Sequence, residues 1–296
     1  IAEALDRGAD IVVTGRVADP ALALGPLLHV FRWRADDWDR LAAGTLTGHL
    51  LECGAQVSGG YFADPGYKDV PGLAEVGYPI GEIEADGTIV IGKPPGTGGR
   101  VDRLTVTEQI LYEIHDPAAY LAPDVVLDLT AVEAAEIGKD RVRIIGARGK
   151  PAPERLKATV CVDGGLLGEA EISYAGPNAA ARAQLAADVI CQRVRRRAPA
   201  LAVRVDAIGA RSVLGAGDKA PDLSAAPGND IRLRFAAQSE DAAQVKLLLD
   251  EVEALYCAGP AGGAGVRRHV TPRLFSASCL IERCHATPRV TMLESS

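Results

Sequence analysis

The sequence predicts two architectures in one chain: an α/β domain over residues 1–150, then an α+β domain of ferredoxin-like sandwich type over residues 151–296. Three observations carry that expectation. A β-branched run, Ile11 to Val13, leads through Thr14-Gly15-Arg16 to an N-cap and first-turn proline at Asp19-Pro20, which reads as strand, loop and helix. Gly146 to Pro153 is polar and rich in Gly, Pro and Lys, and marks the boundary between the domains. Beyond it strand patterns alternate with two amphipathic helices, and helices covering one face of a mainly antiparallel sheet would bury both apolar faces.

In chain order, IAEALDRGADIVVTGR reads as the end of a helix followed by a buried strand. A strand so placed needs neighbours, so a segment upstream of Ile1 is expected in the natural protein. Gly25-Pro26 is expected to break or kink the first helix, and Asp36 to cap a short segment carrying Trp38 and Leu41 that stops near Gly44. Thr45 then caps a further helix, in which Leu46, Leu50 and Cys53 form one stripe. Val57 to Pro79 has neither periodicity and reads as a long ordered loop. Ile80 to Glu84 and Thr88 to Ile91 alternate around Asp86-Gly87, a hairpin signal. A helix capped by Thr105 or Thr107, with Glu108 in a capping box, ends near His115, and strands follow at Pro123 to Thr130 and Arg141 to Ile145. In the second half, strands near 155–163 and 166–174 are expected to turn at Asp163-Gly164-Gly165. A helix runs from Pro177-Asn178 to Arg197, strands lie near 201–209 and 231–236, a helix spans Glu240 to Tyr256, and a strand covers about 274–283.

A net charge of −7 argues against a nucleic-acid surface, which needs clustered Lys and Arg. No apolar run reaches membrane-spanning length. Six scattered cysteines in a chain able to build its own core suit a reducing, cytoplasmic setting. A homo-oligomer is the expected assembly.

Three segments could carry chemistry. Thr14, Gly15 and Arg16, expected at a strand end, lie where α/β sheets collect ligands, and Arg16 beside Asp19 could clamp a carboxylate. On one helical face His49 and Cys53 stand a turn apart, with Glu52 three residues from His49 to orient its ring. His49, Glu52 and Cys53 are therefore the catalytic candidates, just before the Ser58-Gly59-Gly60 loop. A His/Cys pair has too few ligands for zinc, so no metal is expected. Lys93 to Arg100 is a second glycine-rich loop: Gly96, Thr97, Gly98 and Gly99 could turn amides toward an anion flanked by Lys93 and Arg100. It lacks the Gly-Lys-Ser/Thr triplet of a nucleotide phosphate loop.

Taken together, TGRVADPALALGPLLHVF, DDWDRLAAGTLTGHLLECGAQVSGGYFAD, KPPGTGGRVD, TVTEQILYEIHDPAAYLAPDVVLDLT and AGPAGGAGVRR resemble the acyclic terpene utilisation family AtuA over nearly the whole chain. The resemblance implies an additional N-terminal α/β segment and a catabolic setting, the breakdown of acyclic terpenoids and branched acids through acyl-CoA intermediates. It carries over no catalytic residue. The expected activity is that of a hydratase or lyase on a small-molecule acyl-CoA or carboxylate, where a CoA thioester could be the substrate and the cofactor is left open; the alternative is a non-catalytic ligand-binding or assembly subunit of the same pathway.

Overall fold

Residues 1–213, 222–223 and 228–293 are described by the computed structural model, and they fall into two units, Ile1–Lys157 with Leu280 onward, and Ala158–Cys279. The chain is a mixed α/β protein with several antiparallel sheets and, among the described residues, seven α-helices.

Helices α1 (Ala2–Asp6), α2 (Ala21–Phe31) and α3 (Trp38–Leu51) come first. Strands β1 (Ile80–Ile83) and β2 (Ile89–Gly92) form the expected hairpin, with Gly87 at φ +93° where only glycine sits without strain. Helix α4 (Arg103–Leu111) is followed by β3 (Tyr120–Leu121), β4 (Val126–Asp128), β5 (Glu133–Gly138), β6 (Arg141–Ile145) and β7 (Arg148–Lys150). These build a four-stranded sheet, β1-β2-β6-β5, and a three-stranded one, β3-β4-β7, both antiparallel.

Helix α3 is the centre of this unit. Every residue from Leu41 to Leu50 is buried, with Leu41, Leu46 and Leu50 packed in one cluster with Ile89, Ile91, Leu127, Val142 and Ile144. A helix with no solvent face needs close neighbours, and two glycines provide them. A Cβ on Gly44 would lie 2.7 Å from the Leu24 side chain, and one on Gly48 would lie 2.4 Å from the Pro20 backbone.

Several expectations fail here for identifiable reasons. Ile11 to Val13 is not a strand: Ile11 is 82 % and Val13 91 % exposed, with no partner strand among the described residues, so Thr14, Gly15 and Arg16 do not stand at a strand end. Gly44 does not stop a helix and Thr45 does not cap one, because Gly44 lies inside α3 where its missing Cβ admits Leu24. Helix α2 runs through Gly25-Pro26, and Asp19 supplies no side-chain cap to it. The cap of α4 is Asp102, whose carboxylate accepts from the amides of Leu104 and Thr105 while Thr105 Oγ1 accepts from the Asp102 amide.

The later elements are β8 (Arg155–Ala175), α5 (Ala179–Arg197), β9 (Arg204–Ile208), β10 (Asp230–Ser239), α6 (Ala242–Glu253), α7 (Leu255–Ala258) and β11 (Ala264–Glu282). Strand β8 is continuous: Asp163-Gly164-Gly165 makes no hairpin, since the chain passes straight through it, with the Gly165 amide held by the Asp163 carboxylate. The sheet order is β11-β8-β10-β9, and β10 pairs antiparallel with both β8 and β9. Ala170, Ile172 and Tyr174 of β8 and Ile231, Leu233 and Phe235 of β10 join the inner faces of α5 and α6 in one core. The alternate face of the same strands is charged. Arg232 pairs with Glu171, Arg234 with Glu169 and Asp206, and Arg204 with Asp206.

Candidate functional site

At the C-terminal end of α3, His49 is only 2 % exposed, and its Nδ1 lies 3.0 Å from Glu52 Oε1, one helical turn on. A carboxylate can only accept, so Nδ1 carries the proton and donates, which in the neutral imidazole places the lone pair on Nε2. That Nε2 is buried without a hydrogen-bond partner, as are Glu52 Oε2 and Thr45 Oγ1, the latter a turn before His49 on the same helix. Helix α4 contributes Gln109, whose Nε2 donates to the His49 carbonyl at 3.0 Å and whose Oε1 is also unpartnered. Four of the six buried unpartnered side-chain atoms among the described residues therefore gather at α3 and α4.

Tyr120 of β3 closes one side, its ring 5.7 Å from that of His49. Burial pushes its phenol pKa up, and the carboxylates of Glu52, Asp19 and Glu113 push in the same direction. Cys53 follows the same logic. Burial raises its thiol pKa, a hydrogen bond with Gln109 partly opposes this, and the nearby carboxylates Glu52, Glu113 and Asp19 add to the rise. Both groups are held protonated at neutral pH, so Cys53 is a thiol rather than an activated thiolate. Asp19 reaches this cluster because Pro20 packs on Gly48 of α3.

Beside the cluster the outer face of α4 carries a depression of about 650 Å³ with an apolar floor of Phe62, Leu104, Leu111 and Tyr112, edged by Thr107 and the charged Lys68, Arg103, Glu108 and Glu113. Tyr61 and Tyr112 meet edge to face at its rim, with ring centroids 6.2 Å apart.

The two glycine-rich loops join each other. Arg100 donates its amide to the Ser58 carbonyl, Gly98 to Glu75 and Gly99 to Pro71, while Ser58 Oγ donates to the Gly77 carbonyl at 2.5 Å. Gly59, at φ +103°, and Gly60, whose Cβ would crowd the Ala55 carbonyl, let the chain turn tightly there. Thr97 Oγ1 donates to the Pro94 carbonyl, and Gly96 turns at φ +80° on the surface. Lys93 is 4 % exposed, donating to the Thr97 carbonyl with Asp140 at 3.4 Å; Arg100 pairs with Asp102 and donates to the Asp69 carbonyl. The amides of Gly98, Gly99 and Arg100 and the Lys93 ammonium, donors in which the sequence suggested an anion cradle, are thus spent on the protein itself. Arg16 differs: exposed, its guanidinium makes no hydrogen bond or ion pair among the described residues. Among the described residues no hydrogen bond or ion pair ties Thr14, Gly15 or Arg16 to His49, Glu52 or Cys53, although Asp19 belongs to that cluster electrostatically.

Gln109 and Tyr120 are the members that sequence reasoning missed. Gln109 had one local signal, a polar residue on the core-facing stripe of α4 beside Val106 and Ile110, whereas Tyr120 had none.

Among the described residues no group of three or more His, Cys, Asp and Glu side chains is arranged to hold a metal, and no helix is long and apolar enough to cross a membrane. Compared with known proteins, residues 1–292 match the family described as acyclic terpene utilisation family protein AtuA. No curated protein and no solved structure matches the chain.

Proposed function

Since the chain belongs to the acyclic terpene utilisation family AtuA, we propose that it is a cytoplasmic catabolic enzyme of acyclic terpenoid or branched-acid breakdown, a hydratase or lyase acting on an acyl-CoA or carboxylate. The observation that carries this reading is the cluster of buried, unpartnered polar atoms around His49. Such groups are costly to bury unless something pairs with them, and a reacting substrate is one way to do so. The surrounding carboxylates, Glu52, Asp19 and Glu113, disfavour a bound anion at that point and favour an uncharged thioester carbonyl. In the hydratase direction, His49 Nε2 takes a proton from water as the water oxygen bonds the β-carbon of an enoyl thioester. Glu52 stabilises the resulting imidazolium, which returns its proton to the α-carbon, while the protonated phenol of Tyr120 supports the carbonyl oxygen. Arg16 is the candidate contact for a distant carboxylate or phosphate, and the depression on α4 suits an apolar branched tail.

We take the later βαββαβ run as a ferredoxin-like sandwich, with domains at 1–150 and 151–296, and the working form as a homo-oligomer. The near-complete burial of His49 favours one second reading, a non-catalytic ligand-binding or assembly subunit.

Thermal shift against acyl-CoAs and free branched acids, paired with turnover assays, tests both readings. The expected result is stabilisation by an acyl-CoA, with His49→Gln keeping that stabilisation and losing about 10²–10⁴-fold in kcat. Binding without turnover in the unaltered protein supports the second reading. Turnover indifferent to His49→Gln, or no stabilising ligand in either class, removes the site assignment.

A further inference from the structure

We propose that residues 158–163 of β8 and 274–279 of β11 form a docking surface for a second copy of this chain. Strand β10 accompanies β8 only from Leu166 to Ala175, so the preceding part of β8 has β11 alone beside it. Contacts of two glycines set which residues share a face. A Cβ on Gly263 would meet Ile172 and Tyr174, and one on Gly164 would meet Arg273 and Phe275. With the period of two along a strand, Ala158, Val160, Val162, Phe275, Ala277 and Cys279 all lie on the face that, further along, carries the core residues Ala170, Ile172 and Tyr174. The Arg155–Glu282 ion pair agrees with this register on the opposite face.

Over the core that face is covered by α5 and α6. Here it is open and, beyond Arg273 beside Gly164, apolar, with Val160 47 %, Val162 51 % and Phe275 51 % exposed. The opposite face is mixed, holding Thr159, Cys161, Asp163, Ser276 and Ser278 together with the exposed Leu274. A two-stranded ribbon on its own is marginal in water, and an apolar face of this kind is the pattern of a covered one.

The edge points to the occupant. Strand β11 is the outermost strand of its sheet, and Leu274 to Ile281 (LFSASCLI) has neither charge nor proline, the usual devices that keep an edge from pairing. Antiparallel pairing of a strand with its own copy is two-fold symmetric, so the same segment satisfies both partners in a closed isologous contact. A strand pair with two flanking apolar faces buries on the order of 1,000 Å², the lower end of specific interfaces.

This inference rests on the homo-oligomer reading above and not on the ligand, so a monomer that still binds an acyl-CoA would overturn it alone. Light scattering on the full chain at micromolar concentration should return twice the chain mass. Val162→Glu with Phe275→Glu should return a single-chain mass with an unchanged circular dichroism spectrum, and Thr159→Glu, on the other face of β8, should keep the doubled mass. Should the double variant not fold, hydrogen exchange of the unaltered chain decides: amides of 274–279 should lose protection on dilution. A single-chain mass, a doubled mass in the folded Val162/Phe275 variant, or exchange indifferent to dilution each overturns the proposal; the last is the outcome if another part of the same chain covers the face.

Discussion

The thiol of Cys53 stands one turn from His49, a spacing that suggests a thiol–imidazole pair, yet its burial and three neighbouring carboxylates raise its pKa. A raised pKa keeps the proton on sulfur through neutral pH, and folding becomes less favourable only as pH rises past the ordinary thiol range. Alkylation by iodoacetamide, read by mass spectrometry, should therefore label the exposed Cys161, Cys257 and Cys284 before Cys53, and Cys53 should gain reactivity only at more alkaline pH. Early labelling of Cys53 near neutrality would contradict the burial argument. Gly48 offers a second test. An added methyl meets the Pro20 backbone at 2.4 Å, which cannot yield as a side-chain tip can, so Gly48→Ala should destabilise by about 1–3 kcal/mol in denaturant unfolding. At this scale the His49–Glu52 pair was legible because a helix brings residues three apart together. Gln109 and Tyr120 were not, since they arrive from elements 60 or more residues away. Lys93 was legible as a cation, but its neutralising Asp140 lies beyond any local window.

Among elements, α4 depends on a cap that also holds the neighbouring loop, because Asp102 both accepts from two α4 amides and pairs with Arg100. Asp102→Ala should cost about 1 kcal/mol from the lost cap, with the denaturation midpoint as the measurement; Asp102→Asn, which still caps but cannot form the ion pair, should recover most of it. An equal loss in both variants would assign the effect to Arg100 instead. The hairpin at Asp86-Gly87 was legible because its turn chemistry is local. Glycine misled twice elsewhere. Gly44 reads as a helix stop and Gly164-Gly165 as a turn, but one makes room for Leu24 and the other for Phe275 and Arg273, and tertiary packing of that kind leaves no periodic trace. Ile11 to Val13 has strand composition without a partner strand, and composition cannot supply one.

Across the molecule, the alternation of strands and helices after residue 150 could be read from periodicity, whereas the order β11-β8-β10-β9 could not, because it is set by pairings between distant strands. Strand β5 escaped sequence reading because it is almost wholly exposed, which erases its alternation, and β7 because three residues are too few to show one. The charged face of β8, β9 and β10 matches three guanidinium groups, Arg204, Arg232 and Arg234, with three carboxylates, Asp206, Glu169 and Glu171. These groups cancel one another at short range, so that face projects little field into solvent. A molecule approaching this sheet is accordingly not drawn in by charge. Encounters there proceed at the unsteered diffusional rate, and added salt leaves their frequency nearly constant.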